Sequence, residues 1–76
     1  MELRRRLAIN LRRFREEQGF SQETFADHCG LHRTYISGIE RGVRNPTVMI
    51  LEKIAKALKV PAGALLDEVK AAHRKT

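Results

Sequence analysis

Between positions 22 and 45 the chain gathers side chains suited to gripping an anion. Arg33, Thr34, Tyr35 and Ser37 stand close together, Arg41, Arg44 and Asn45 follow, and Gln22 lies upstream beside Ser21. An arginine fork can bridge O6 and N7 of a guanine, and threonine offers a hydroxyl and a methyl to a thymine. Amides, hydroxyls and further arginines suit phosphate oxygens. This is the chemistry of recognition. No Ser/His/Asp arrangement, glycine-rich phosphate loop or pair of catalytic carboxylates accompanies it, so neither an enzyme nor a bound cofactor is expected.

The bulk composition points the same way. The 76 residues carry 15 Lys and Arg against 9 Asp and Glu, a net charge of +6, with a pI near 10.3. A domain pI above about 9 marks a binder of polyanions. The single cysteine excludes an intramolecular disulfide. The opening MELRRRLAIN is basic, but its apolar part is only LAI, too short for a secretory core. No run approaches the roughly 18 apolar residues that would suggest a membrane span. The expected setting is the cytoplasm, with no membrane partner. A chain of this length has room for one domain with a modest core, so self-association is expected. We place the domain at residues 1–69 and a basic tail, AAHRKT, within 70–76.

The elements that must position the cluster are helices. Leu3, Leu7, Leu11 and Phe14 fall on one helical face, predicting a first helix over about residues 2–18 that Gly19 ends. Ser21 is an N-cap candidate for a second helix over about 21–28, with Phe25 and Ala26 inward and Gly30 at its end. A third helix begins near His32, turns Ile36 and Ile39 inward, and stops at Gly42. Asn45-Pro46 breaks the chain. Thr47 caps a fourth helix over about 47–58, with Val48, Leu51, Ile54, Ala55 and Leu58 on its inner face. Pro61 suits the first turn of a fifth, whose apolar stripe is Leu65, Leu66 and Val69. The expected fold is all-α, with five helices and no strand.

Helices two and three, joined by a short turn at Gly30, form a helix-turn-helix arrangement. With Leu31, Ile36 and Ile39 taken by the core, Arg33, Thr34, Ser37 and Gly38 are left outward, nearest the end that enters a major groove in such motifs. The bland alternative for this face is simple solvation. Gln22, beside free backbone N–H groups at a helix start, could hold a phosphate. Arg41, Arg44 and Asn45 could clamp the flank of the groove. Tyr35 could aim its hydroxyl at the backbone, press on a base step, or be partly buried. Arg15 and Glu40 would form an ion pair if their helix ends meet; otherwise Arg15 could reach a phosphate.

Two further groups of residues stand outside this pattern. His28, Cys29 and His32, with Asp27 adjoining, crowd together, but structural zinc wants four well-spaced ligands, and Cys29 fits better as a small buried residue. No metal is expected. Ile9, Met49 and Ile50 exceed what one core face needs and could form an interface patch for a protein partner, or be mere exposed apolar residues.

The stretch SQETFADHCGLHRTYISGIERGVRNP, with IAKALKVP further on, resembles the Cro/repressor-type helix-turn-helix proteins of the XRE family. The resemblance covers about residues 5–69. RTYISGIERG and RN look most like the controller proteins of restriction–modification systems. The resemblance implies a five-helix, lambda-repressor-like fold and a dimeric regulator of transcription. Its expected partner is a near-palindromic DNA operator, including that of its own operon; a phage-type repressor is a close variant. It assigns base or shape readout to Arg33, Thr34 and Tyr35. Backbone contacts fall to Gln22, Ser37, Arg41, Arg44 and Asn45, and the dimer seam to the fifth helix with Leu65, Leu66 and Val69. Relatives often pair the positions of Arg15 and Glu40. Departures are His32, where Ser, Thr or Asp is usual, Gly38, where a longer reading side chain is common, and Ala62-Gly63 at the start of the fifth helix. An antitoxin, binding both a toxin and DNA, is the alternative function.

Overall fold

The computed structural model describes residues 2–69; the 70–76 tail lies outside the described residues. Four α-helices follow one another, α1 (Leu3–Glu17), α2 (Gln22–Cys29), α3 (Arg33–Glu40) and α4 (Val48–Leu58), with a 3-10 helix over Ala62–Leu66 closing the described chain. Both expected hydroxyl caps form. Ser21 Oγ accepts from the Thr24 N–H at 3.0 Å, and Thr47 Oγ1 accepts from the Ile50 N–H at 3.1 Å. Each satisfies one N–H that its helix cannot pair internally. The α2–α3 turn depends on Gly30, which takes φ +73° and ends α2, a conformation that costs glycine little.

The fifth element is not an α-helix. The chain from Ala62 makes only a five-residue 3-10 helix and returns to extended backbone at Asp67. No side chain caps its start, Gly63 sits inside it, and so short a segment cannot offset the cost of an α-helical nucleus. The stripe expected of Leu65, Leu66 and Val69 is therefore not one helical face.

The core joins α1 (Leu7, Leu11), α2 (Phe25, Ala26, Cys29), α3 (Ile36, Ile39), α4 (Ile54, Ala55, Leu58) and Leu65. The first turns of α1 and α4 lie outside it. Leu3 is 55% exposed and Val48 82%, although both share the period of their buried neighbours. A helix's apolar period continues past the end of whatever it packs on. Met49 is likewise 78% exposed, while Ile9 and Ile50 are half-buried.

Asn10 is an uncharged polar residue buried with this core. It is buried on the α1 stripe, and its Nδ2 donates to the carbonyls of Leu65 at 3.0 Å and Asp67 at 2.9 Å. Gln18 Nε2 donates to the Leu58 carbonyl at 2.8 Å. These amides join α1 to the C-terminal part of the fold through backbone oxygens that would otherwise need water. Among the described residues no buried side-chain N or O atom lacks a partner.

Candidate nucleic-acid interface

α3 is short, so its two faces divide cleanly. Ile36 and Ile39 are fully buried. Arg33, Thr34, Ser37 and Arg41 have the i, i+1, i+4, i+8 spacing of a single outward stripe; Arg33, Thr34 and Arg41 are exposed and Ser37 half-buried. Arg33 and Thr34 are the first two residues of the helix, directly after the N-cap His32, whose side chain makes no capping bond. Arg41 Nε reaches Ser37 Oγ at 3.4 Å, so two expected backbone contacts lie side by side. Asn45 is exposed on the following loop.

Tyr35 is half-buried against the core. The Arg44 guanidinium carbon lies 5.6 Å from the centroid of its ring, within cation–π range. The expected loop cation and the expected shape reader thus form one unit. Gly38 does not face outward as the helical spacing suggested. It is buried, because the loop after α3 folds back over it.

The scaffold beneath this stripe is an ionic network. Arg15 Nε and Nη2 donate to Glu40 Oε2 and Oε1 at 2.7 and 3.0 Å, and Arg15 Nη1 donates to the Phe20 carbonyl at 2.7 Å. Glu40, foremost through these hydrogen bonds, raises the Arg15 pKa against the opposing effect of burial. Gln22 Nε2 donates to the same Glu40 Oε1 at 3.0 Å. One side-chain donor of Gln22 is therefore committed to the scaffold, which leaves one amide hydrogen for a phosphate. The Arg15–Glu40 contact was legible from the ends of two helices. The Gln22 and Phe20 links carried no sequence signal. For Asn10 the signal existed: a polar residue on an otherwise apolar stripe.

The charges on the two sides differ in kind. On α1, Arg4, Arg12, Arg13 and Arg15 are each ion-paired with a glutamate, at 3.9, 3.1, 3.5 and 2.7 Å. Among the described residues none of Arg33, Arg41 and Arg44 has a carboxylate partner. The three cations of the α3 side are therefore left without compensation by a carboxylate.

At the seam expected for self-association, Leu65 is fully buried in the chain's own core. It supports the surface and contributes no area to it. Leu66 and Val69 are half-buried. Among the described residues no group of three or more His, Cys, Asp or Glu side chains gathers to hold a metal: Cys29 is buried, His28 stacks on Phe20 with ring centroids 5.2 Å apart, and His32 stands at the N-cap position of α3 without a side-chain capping bond. Among the described residues no helix is long and apolar enough to cross a membrane.

Comparison with known proteins places this geometry. The helix-turn-helix family HTH_3 matches residues 11–65. A hypothetical transcription factor of Neisseria meningitidis is 49% identical over 65 residues, covering 86% of this chain and 61% of its own. The control protein C.BamHI of Bacillus amyloliquefaciens is 55% identical over 51 residues, covering 67% of this chain and 63% of its own. The chain thus spans under two thirds of the length of these two relatives. The restriction–modification controller protein C.Esp1396I, solved as a tetramer with its natural 35 base-pair operator, superposes with a TM-score of 0.77 at 40% identity, covering 86% of each chain. These matches lend no support to the antitoxin alternative.

Proposed function

Because the chain belongs to the helix-turn-helix (HTH_3) family, we propose that it is a sequence-specific DNA-binding regulator of transcription, of the restriction–modification controller type. Two copies bind a near-palindromic operator, each laying α3 in a major groove, with the half-sites about 34 Å apart. The protein acts in the cytoplasm and catalyses no reaction; regulation of its own gene is the expected use.

One observation carries this reading: Arg33, Arg41 and Arg44, on the α3 stripe and its following loop, have no carboxylate partner among the described residues, while Arg4, Arg12, Arg13 and Arg15 of α1 do. Unpaired cations on an exposed face are what counterion release from a phosphate backbone requires. The roles follow from position. Arg33 and Thr34, at the start of α3, reach base edges. Tyr35 presses on the groove beside Arg44. Gln22, Ser37, Arg41, Arg44 and Asn45 hold phosphates on either side. Leu66 and Val69 border the dimer seam, with Leu65 packed beneath them. The operator-bound C.Esp1396I tetramer supports a duplex partner and assembly beyond the single chain.

The test is enrichment of duplexes from a random-sequence DNA library by the purified protein, followed by titration of an enriched duplex across a salt series. The expected result is a two-fold symmetric consensus and a log K that falls linearly with log salt. A protein that enriches no consensus, and binds every duplex alike, refutes sequence-specific regulation.

A further inference from the structure

We propose that Gly38 is the positioning residue for Arg44: its bare Cα is the seat that holds the arginine stem and lays the guanidinium over Tyr35. Gly38 is buried inside α3. A Cβ built on it would stand 2.5 Å from Arg44 Cγ, 3.4 Å from Nε and 3.5 Å from Cδ. The arginine stem therefore occupies the space a side chain would need. The same residue fixes the loop from its other end. Its carbonyl accepts from the Val43 N–H at 3.0 Å and the Arg44 N–H at 3.2 Å. Backbone and stem of Arg44 are thus both set by position 38, and the guanidinium comes to rest 5.6 Å from the Tyr35 ring centroid.

The consequence rests on the DNA-binding reading above. An arginine already held in one arrangement loses less freedom when it meets a phosphate, so less of the interaction is spent on ordering it. A glycine in the middle of a helix weakens that helix relative to alanine. Position 38 thus favours the site over the helix. Gly38→Ala accordingly has effects of opposite sign: the helix is no less stable, while Arg44 must leave its seat.

The experiment has two readouts. By NMR, the Arg44 side-chain methylene protons of the free wild-type protein carry the ring-current shift of Tyr35, and Gly38→Ala removes it. In titration with a duplex enriched by the wild-type protein, Gly38→Ala weakens binding by about three- to tenfold with an undiminished melting temperature. In an Arg44→Ala background the same change has no further effect, because the residue it acts through is gone. An unchanged ring-current shift, wild-type affinity, or an equal loss in the Arg44→Ala background each overturns the proposal. If the wild-type protein enriches no duplex, the regulatory reading fails and takes the binding half of this inference with it; the NMR measurement still decides the seat.

Discussion

Arg15 and Glu40 meet across 25 residues of sequence in a two-point contact, Nε to Oε2 at 2.7 Å and Nη2 to Oε1 at 3.0 Å, with side chains 8% and 4% exposed. The pair fixes the end of α3 to the end of α1. Since Arg15 also holds the Phe20 carbonyl and Glu40 also receives Gln22, the four residues lock the start of α2 and the end of α3 into one relative placement. A helix-turn-helix needs that placement, because groove contacts fail if the two helices shift independently.

Removing one partner leaves a buried charge without its principal partner. Arg15→Ala and Glu40→Ala are each expected to cost about 3–5 kcal/mol of stability, read by denaturant unfolding. Replacing both at once, as Arg15→Met with Glu40→Leu, is expected to cost far less, since desolvation is then avoided on both sides. Single and double variants of equal stability would show that the pair is not a coupled unit.

Asn10 is the second internal tie. Asn10→Ala deprives the Leu65 and Asp67 carbonyls of their donor, an expected loss of about 1–3 kcal/mol. The loss is expected to fall on the C-terminal segment. Hydrogen exchange of the amides of Leu65 and Leu66 should accelerate more than that of Ile36 and Ile39. Uniform acceleration across the chain would contradict a local clamp.

Much of this was readable in advance, and the parts that were not share a cause. The helical period located α1 to α4, and the hydroxyl caps at Ser21 and Thr47 located two of their starts, because both signals are local. The fate of Leu3 and Val48 was not local. Their period matched the core, but whether a first turn finds a partner depends on where other elements end. The fifth helix failed for a related reason: Leu65, Leu66 and Val69 fit an apolar stripe and Pro61 suits a first turn, but no side chain caps the start and Gly63 sits inside it. In the site, outward positions on α3 followed from spacing alone. The burial of Gly38 did not, since it is created by a loop folding back from Arg44.

Cys29 gives a pH-dependent expectation. Burial pushes its thiol up to about 11, against a smaller lowering by Lys53. The folded state therefore keeps the proton in a range where the unfolded chain, with an ordinary thiol near 8.5, has lost it. The stabilisation is complete below the unfolded value and is lost as pH rises through the folded one. Between about pH 9 and 11 the wild-type protein should lose more stability than Cys29→Ala, measured by denaturant midpoints. At neutral pH the native thiol should react with iodoacetamide far more slowly than the unfolded one. Parallel pH profiles for the two proteins would remove the thiol from the alkaline loss.

Arg33 is expected to read a base. Arg33→Ala should cost about 1–3 kcal/mol of binding to the enriched duplex and relax selectivity at one base position in each half-site. The measurement is repeated enrichment with the variant. An unchanged consensus with uniformly weaker binding would move Arg33 to the phosphate contacts.

The most direct test of the central claim is a footprint of the purified protein on the DNA upstream of its own gene, at two salt concentrations. The account predicts one or more protected sites, each two-fold symmetric and spanning about two helical turns, with weaker protection at the higher salt. Salt-sensitive binding with no discrete protected site would contradict it, and would reduce the α3 face to a basic surface without selectivity.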